Sequence, residues 1–152
     1  MDQYIHIIPE EAGYLPEEGR QRAALFYFRK VARRMISVSV IVTAKLRFVH
    51  AGVDFGDILC PSCKARIEME TWQGWMREDY QDGFFVLNEY VMPCCKSRHT
   101  LHEMAYQRPM GLTRCDIRAT NPRIEELPVR HRRRFEKLLG CKVRVVYERY
   151  PI

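Results

Sequence analysis

Cys60-Pro61-Ser62-Cys63 and Cys94-Cys95 are the residues of this chain whose types and spacing could do chemistry. Two cysteines separated by two residues around a proline lie on a turn that brings both sulfurs to one side. Zinc needs such thiolates about 2.3 Å away in a tetrahedron. Lys64 follows directly, and an adjacent cation favours the thiolate state. The second pair follows Pro93 at the end of an apolar stretch, Phe84 to Met92. Its members are neighbours, so both can ligate one ion only across a tight turn. Cys60, Cys63, Cys94 and Cys95 therefore read as a structural zinc site. His99 and His102 are competing fourth ligands in a set of three cysteines and one histidine. Buried free thiols are the bland alternative. A redox C-x-x-C is weaker, because no clear helix starts at Cys60. Between the pairs lie Trp72, Trp75, Phe84 and Phe85, which could form a small core under the metal. Cys115 and Cys141 fall on expected strands and read as small core residues.

Other catalytic signatures are missing from the sequence. There is no glycine-rich phosphate loop, no nucleophile elbow and no helical H-E-x-x-H, of which His102-Glu103 is only a fragment. Four protein ligands leave a metal no open position for water, so the chain reads as non-catalytic. Asp54, Asp57, Asp79 and Asp82 read as mostly solvated acids. The net charge is +6, and part of the excess sits in Arg130-His131-Arg132-Arg133-Arg134. On a helix, Arg130, Arg133, Arg134 and Lys137 would share a face able to meet phosphates. The strip lacks interleaved aromatics for base stacking, and such runs are commonly just solvated.

The elements that must position these groups follow from periodicity. Tyr4 to Ile8 reads as a strand stopped at Pro9. Pro16-Glu17-Glu18 resembles a helix start, and Ala24, Tyr27, Phe28, Val31 and Met35 would face inward on a helix from about Pro16 to Arg34. From Ile36 to Phe48 the even positions are apolar and the odd ones mostly polar. That predicts a long half-buried strand with a bend or bulge and a change of partner near Ala44. Leu112 to Ala119 reads as a strand, Pro128 to Leu139 as a helix ended by Gly140, and Cys141 to Tyr147 as a strand. The fold class is thus α+β, in one domain over residues 1–152 with a zinc-knuckle insert at residues 57–106. Two βαβ units sharing one antiparallel sheet would be ferredoxin-like. A looser α+β sandwich with the same elements in another order competes with it. The start, Met1-Asp2-Gln3-Tyr4, has no basic stretch before an apolar run, and Ile36 to Val42 is too short to span a bilayer, so the chain reads as cytoplasmic and not membrane-bound.

One succession of motifs carries a resemblance. Cys60-Pro-x-Cys63, Trp72, Pro93-Cys94-Cys95, Tyr106-x-x-Pro109-x-Gly111, Asn121-Pro122 and Leu139-Gly140-Cys141-x-Val143-Arg144-Val145 follow one another over about residues 46–150. This order resembles small bacterial zinc-knuckle α+β proteins, some of which resemble immunity proteins of polymorphic toxins. The resemblance implies a protein that blocks the active site of a cognate toxin, including toxins of the ADP-ribosyltransferase type. The chain departs from the pattern at Lys96, where the group carries glycine. For such a role Trp72, Trp75, Tyr80 and Tyr90 are candidate contacts, with Arg77, Glu78 and Asp79 as a polar rim.

Overall fold

The computed structural model describes residues 2–32 and 37–151. The first half runs β1 (Tyr4–Pro9), α1 (Glu18–Val31), β2 (Ser37–Val49), β3 (Ile58–Leu59), α2 (Met69–Asp79), β4 (Tyr80–Gln81) and β5 (Phe84–Phe85). It continues with β6 (Glu89–Val91), β7 (Arg98–Thr100), a 3₁₀ turn at Leu101–Glu103, β8 (Ala105–Tyr106), β9 (Gly111–Thr120), α3 (Val129–Leu139) and β10 (Val143–Glu148). The protein is α+β. Its main sheet has the order β10-β1-β9-β2-β5-β4, and every pairing in it is antiparallel. Two small ribbons, β3 with β8 and β6 with β7, lie in the middle segment.

Helices α1 and α3 cover one face of the sheet. Ala24 and Phe28 of α1 and Phe135 and Leu139 of α3 are buried against Ile5, Ile7, Ile117 and Ala119. Fully burying each of the phenylalanine, leucine and isoleucine side chains among them contributes about 1.5–3 kcal/mol. Phe28 and Phe135 meet edge to face at 5.1 Å. Gly140, at φ 74°, ends α3 in the left-handed conformation that glycine adopts without a Cβ clash. Tyr27 and Val31 are half-buried on the same side, as the helical spacing predicts; Met35, Arg34 and Ile36 lie outside the described residues.

The expected irregularity in the long strand is present. The register of β2 against β9 shifts between Val42 and Arg47, and Leu46 gains β5 as a partner. The strict alternation does not hold across that bend. Val42 and Ala44 are exposed, because the strand twists away before Leu46 and Phe48 join a second core.

This second core lies on the face opposite the helices. Ile8, Val49, Leu112 and Val146 of the sheet meet Ile58, Ile67, Trp72, Tyr90, Met92 and Leu101 of the middle segment. Helix α2 was not legible in the sequence. Three of the suggested contact residues need correction. Trp72 and Tyr90 are 4% and 7% exposed and belong to this core. Asp79 is buried and accepts hydrogen bonds from the Leu87 and Asn88 N–H groups and the Tyr90 hydroxyl. It ties α2 to the β4–β5 hairpin and cannot serve as a rim. Trp75 is half-buried, and only Tyr80, Arg77 and Glu78 are exposed.

Candidate metal centre

Two turns from distant parts of the chain meet at one edge of the second core. In the first, the Lys64 N–H donates to the Cys60 C=O (3.0 Å) and the Cys60 N–H donates to the Ala65 C=O (2.9 Å). In the second, the Lys96 N–H donates to the Met92 C=O (2.9 Å) and the Met92 N–H donates to the Ser97 C=O (2.8 Å). Lys64 and Lys96 both have φ 64°, a left-handed conformation that non-glycine residues rarely adopt. Lysine at residue 96 is therefore accommodated in the turn without glycine.

The two turns bring Cys60, Cys63, Cys94 and Cys95 together, with all four Sγ atoms within 4.8 Å of one another. Cys63 and Cys94 are 3.2 Å apart, and Cys60 and Cys95 are 3.7 Å apart. Metal–sulfur bonds of about 2.3 Å in a tetrahedron place sulfurs roughly 3.8 Å apart, so a small adjustment accommodates an ion. None of the four forms a disulfide. Cys60 is buried in the second core and the other three are exposed, so the cluster could hold a metal ion between core and solvent.

The surroundings favour thiolates unevenly. Burial works against ionisation of Cys60, but the N–H groups of Cys63 and Ser62 and the Ser97 hydroxyl bring its thiol down to about 6. Hydrogen bonding with Cys63 and burial push the Cys94 thiol up to about 12. Cys95 is lowered by the Ser97 side chain and backbone. A divalent cation bound by all four sulfurs would displace whatever protons they carry.

The histidines point elsewhere. His102 Nδ1 accepts from the Leu112 N–H at 2.9 Å, so Nε2 carries the proton and donates to the Glu10 C=O at 2.6 Å. Burial and the Arg144 charge lower its pKa, consistent with a neutral ring. Both nitrogens are used, and His102 is a core strut beneath Gly111, not a ligand. His99 Nε2 meets Ser62 Oγ at 2.7 Å and Nδ1 lies 3.5 Å from Glu103. It buttresses the first turn from the second ribbon. A capping box between Thr100 and Glu103 holds the 3₁₀ turn that orients both rings.

Ser62 and Ser97 are the outer residues that spacing alone did not single out. Ser97 Oγ lies 3.0 Å from Cys95 Sγ and 3.8 Å from Cys60 Sγ. The signal was present in the parallel order of Cys63-Lys64-Ala65 and Cys95-Lys96-Ser97, which assigns Ser97 a place in the second turn.

A second polar cluster lies outside this centre. On the sheet face away from α1 and α3, the His6 ring bridges Asp116 and Glu148, both at 2.8 Å. Arg47 also pairs with Asp116, and the Tyr150 hydroxyl donates to Glu148. His6 and Asp116 are 2% and 0% exposed. The signal in the sequence was His6, a polar residue set between apolar neighbours in β1; Asp116, among several polar residues of β9, carried none.

No family model, no curated protein and no solved structure matches the chain, so its function must rest on this geometry and on the distribution of charge.

Proposed function

We propose that the four thiolates hold a structural zinc ion and that the chain is a non-catalytic protein-binding module, an immunity protein that blocks the active site of a cognate toxin in the cytoplasm. The observation that carries the reading is the meeting of Cys60, Cys63, Cys94 and Cys95 at the edge of the second core. Four sulfur ligands suit zinc, which takes a tetrahedral set, and they leave it no open position for catalysis. An ion there would tie residues 57–106 to the sheet before any partner arrives. A surface ordered in advance binds without the cost of ordering itself. The strand order β10-β1-β9-β2, with α1 and α3 on one face, supports a ferredoxin-like base carrying a zinc-ribbon-like insert. Free cysteines fit a reducing compartment. The toxin class, including the ADP-ribosyltransferase type, comes from the resemblance of the motif order. Co-expression with the toxin encoded beside it is the test. The expected result is cell rescue and a stable one-to-one complex, and unchanged toxicity with no complex would remove the reading.

A second reading, nucleic-acid binding through the basic 130–137 helix, is favoured by one observation. Helix α1 has four cations and one acid, and α3 has five cations and one acid, a formal +7 against +6 for the whole chain. Of these cations only Arg22 has a carboxylate partner among the described residues. The positive excess is therefore concentrated on the helical layer, where phosphates could meet it. Retention on RNA or DNA that falls steeply between 50 and about 200 mM salt supports this reading; no retention at low salt removes it.

A further inference from the structure

Strand β10 is an edge of the main sheet, and its outer side is only partly used. The Glu10 N–H donates to the Lys142 C=O at 2.9 Å, just beyond the pairing of Pro9 with Val143. Antiparallel alternation then directs the backbone groups of Arg144, Val146 and Glu148 toward β1. Those of Val143, Val145 and Tyr147 point outward. The chain itself occupies both ends of this outer side. At one end the Glu136 carboxylate accepts from the Val143 N–H at 3.0 Å. At the other, the Arg149 N–H donates to the Ala51 C=O and the Arg149 C=O accepts from the Val53 N–H, a parallel bridge at Gly52. Between them the Val143 C=O, both groups of Val145 and the Tyr147 N–H have no hydrogen-bond partner on that side among the described residues.

A groove follows the same stretch. A cavity of about 490 Å³ runs along Val143, Val145 and Tyr147, walled by Met104, Tyr106 and Met110 on one side and by Leu127, Val129 and Arg132 on the other. A second cavity of about 420 Å³ shares Pro109, Glu126 and Tyr147 with the first and continues to Arg108 and Arg149. We infer that this groove binds an extended peptide segment of a partner protein, which adds to β10 as a strand. Backbone pairing supplies affinity and the apolar walls receive alternate side chains. The open stretch of five residues spans roughly 16 Å.

Charge narrows the occupant. Arg132 at one end and Arg108 at the other have no carboxylate partner among the described residues, while Arg144 is already paired with Glu10. Glu126 lines both cavities, where an acidic residue would be repelled, and Glu125 lines the second beside Arg108 and Arg149. The peptide that fits has an apolar centre and an acidic residue at each end. A second copy of this chain fits poorly, because its own β10 is flanked by the same walls. The proposal rests on the protein-binding reading above only for the identity of the natural partner.

The test uses the full chain and a blocked five-residue peptide with three valines between two aspartates. Amide hydrogen exchange at Val145 and Tyr147, read by NMR, should slow at least about tenfold at saturating peptide, as backbone pairing requires. Val145→Pro removes an outward N–H that β1 does not use, and it should abolish the effect. Arg132→Glu leaves the strand intact and should weaken binding about tenfold, a check should the proline variant fail to fold. Unchanged exchange, equal protection by a peptide with lysine ends, or protection from self-association alone would overturn the proposal. Toxin rescue is not part of the readout, so a failure here leaves the immunity reading standing and the reverse also holds.

Discussion

Met92 holds in the second cysteine turn the place that Cys60 holds in the first. Each donates its N–H to the residue five positions on and accepts from the N–H four positions on. The first turn offers thiols at its first and fourth positions, Cys60 and Cys63. The second offers them at its third and fourth, Cys94 and Cys95, because its first is a buried methionine. Cys94 therefore replaces a ligand that the turn geometry would have put at residue 92. Cys94→Ser should weaken metal binding by more than the roughly 10–100-fold typical of an outer-shell change. Adding Met92→Cys to Cys94→Ser should restore about one ion per chain, since two turns of equal geometry then each present a C-x-x-C pair. Elemental analysis of the wild type and both variants decides it. A double variant as empty as the single one would mean that residue 92 cannot turn its side chain toward the ion.

Removal of the proposed ion should loosen one core and spare the other. Cys60 belongs to the cluster that contains Trp72, and Trp75 packs against it. The chain has only these two tryptophans. Their fluorescence therefore reports the metal side alone. Chelation should shift their emission to the red, while far-ultraviolet circular dichroism from α1 and α3 changes little. Simultaneous loss of both signals would mean that the two cores unfold as a unit.

Gly52 holds the loop that fills the far end of the β10 edge. Its φ is +96°, and a Cβ there would lie 1.9 Å from the Arg149 carbonyl oxygen. Both the conformation and the contact forbid a side chain. Gly52→Ala should cost about 2–4 kcal/mol, read as a lower denaturant midpoint. Exchange at the Val53 amide should quicken with it, since its bond to the Arg149 carbonyl oxygen is the one displaced.

The sequence made the frame of the fold legible because each outer element carries one clear period. The helix at α3 announces itself by Phe135, Leu139 and Gly140, and β2 by its alternation and its length. The middle segment was harder. Its strands are two or three residues long, too short for any period, and the apolar stripe of α2 (Met69, Trp72, Trp75 and Met76) rests on tryptophans that suit an interface as well as a core. The meeting of the four cysteines was readable because cysteine spacing reports a turn. The core position of Trp72 and Tyr90 was not, because a large aromatic fits a core and an interface equally well until tertiary contacts decide. The clamp at His6 needed three strands to come together, and the pairing of β1 with both β9 and β10 is not written in any one of them.

That clamp makes stability depend on pH in a defined direction. Burial of the His6 ring disfavours its charge, but hydrogen bonds to Asp116 and Glu148, and their charges, outweigh it and raise the pKa above 6.5. The groups that face His6 are Asp116 and its partner Arg47, then Glu148 with Tyr150 behind it. A group with a raised folded pKa contributes fully below its unfolded value, about 6.5, and loses that contribution as pH climbs through the folded value. Glu148 has the opposite sign. Burial raises its pKa, but the His6 and Tyr150 hydrogen bonds and the histidine charges lower it below 4.5, so its contribution is lost as pH falls. The clamp should be strongest between these limits. His6→Gln removes the cation and leaves Asp116 with Arg47 alone. At pH 6 it should cost about 3 kcal/mol, the low end for breaking a buried pair. The difference between wild type and variant in denaturant midpoint should then shrink steadily toward pH 9. A difference that stays constant over that range would mean that His6 is neutral in the folded protein and acts as a hydrogen-bonding spacer between the two carboxyl groups.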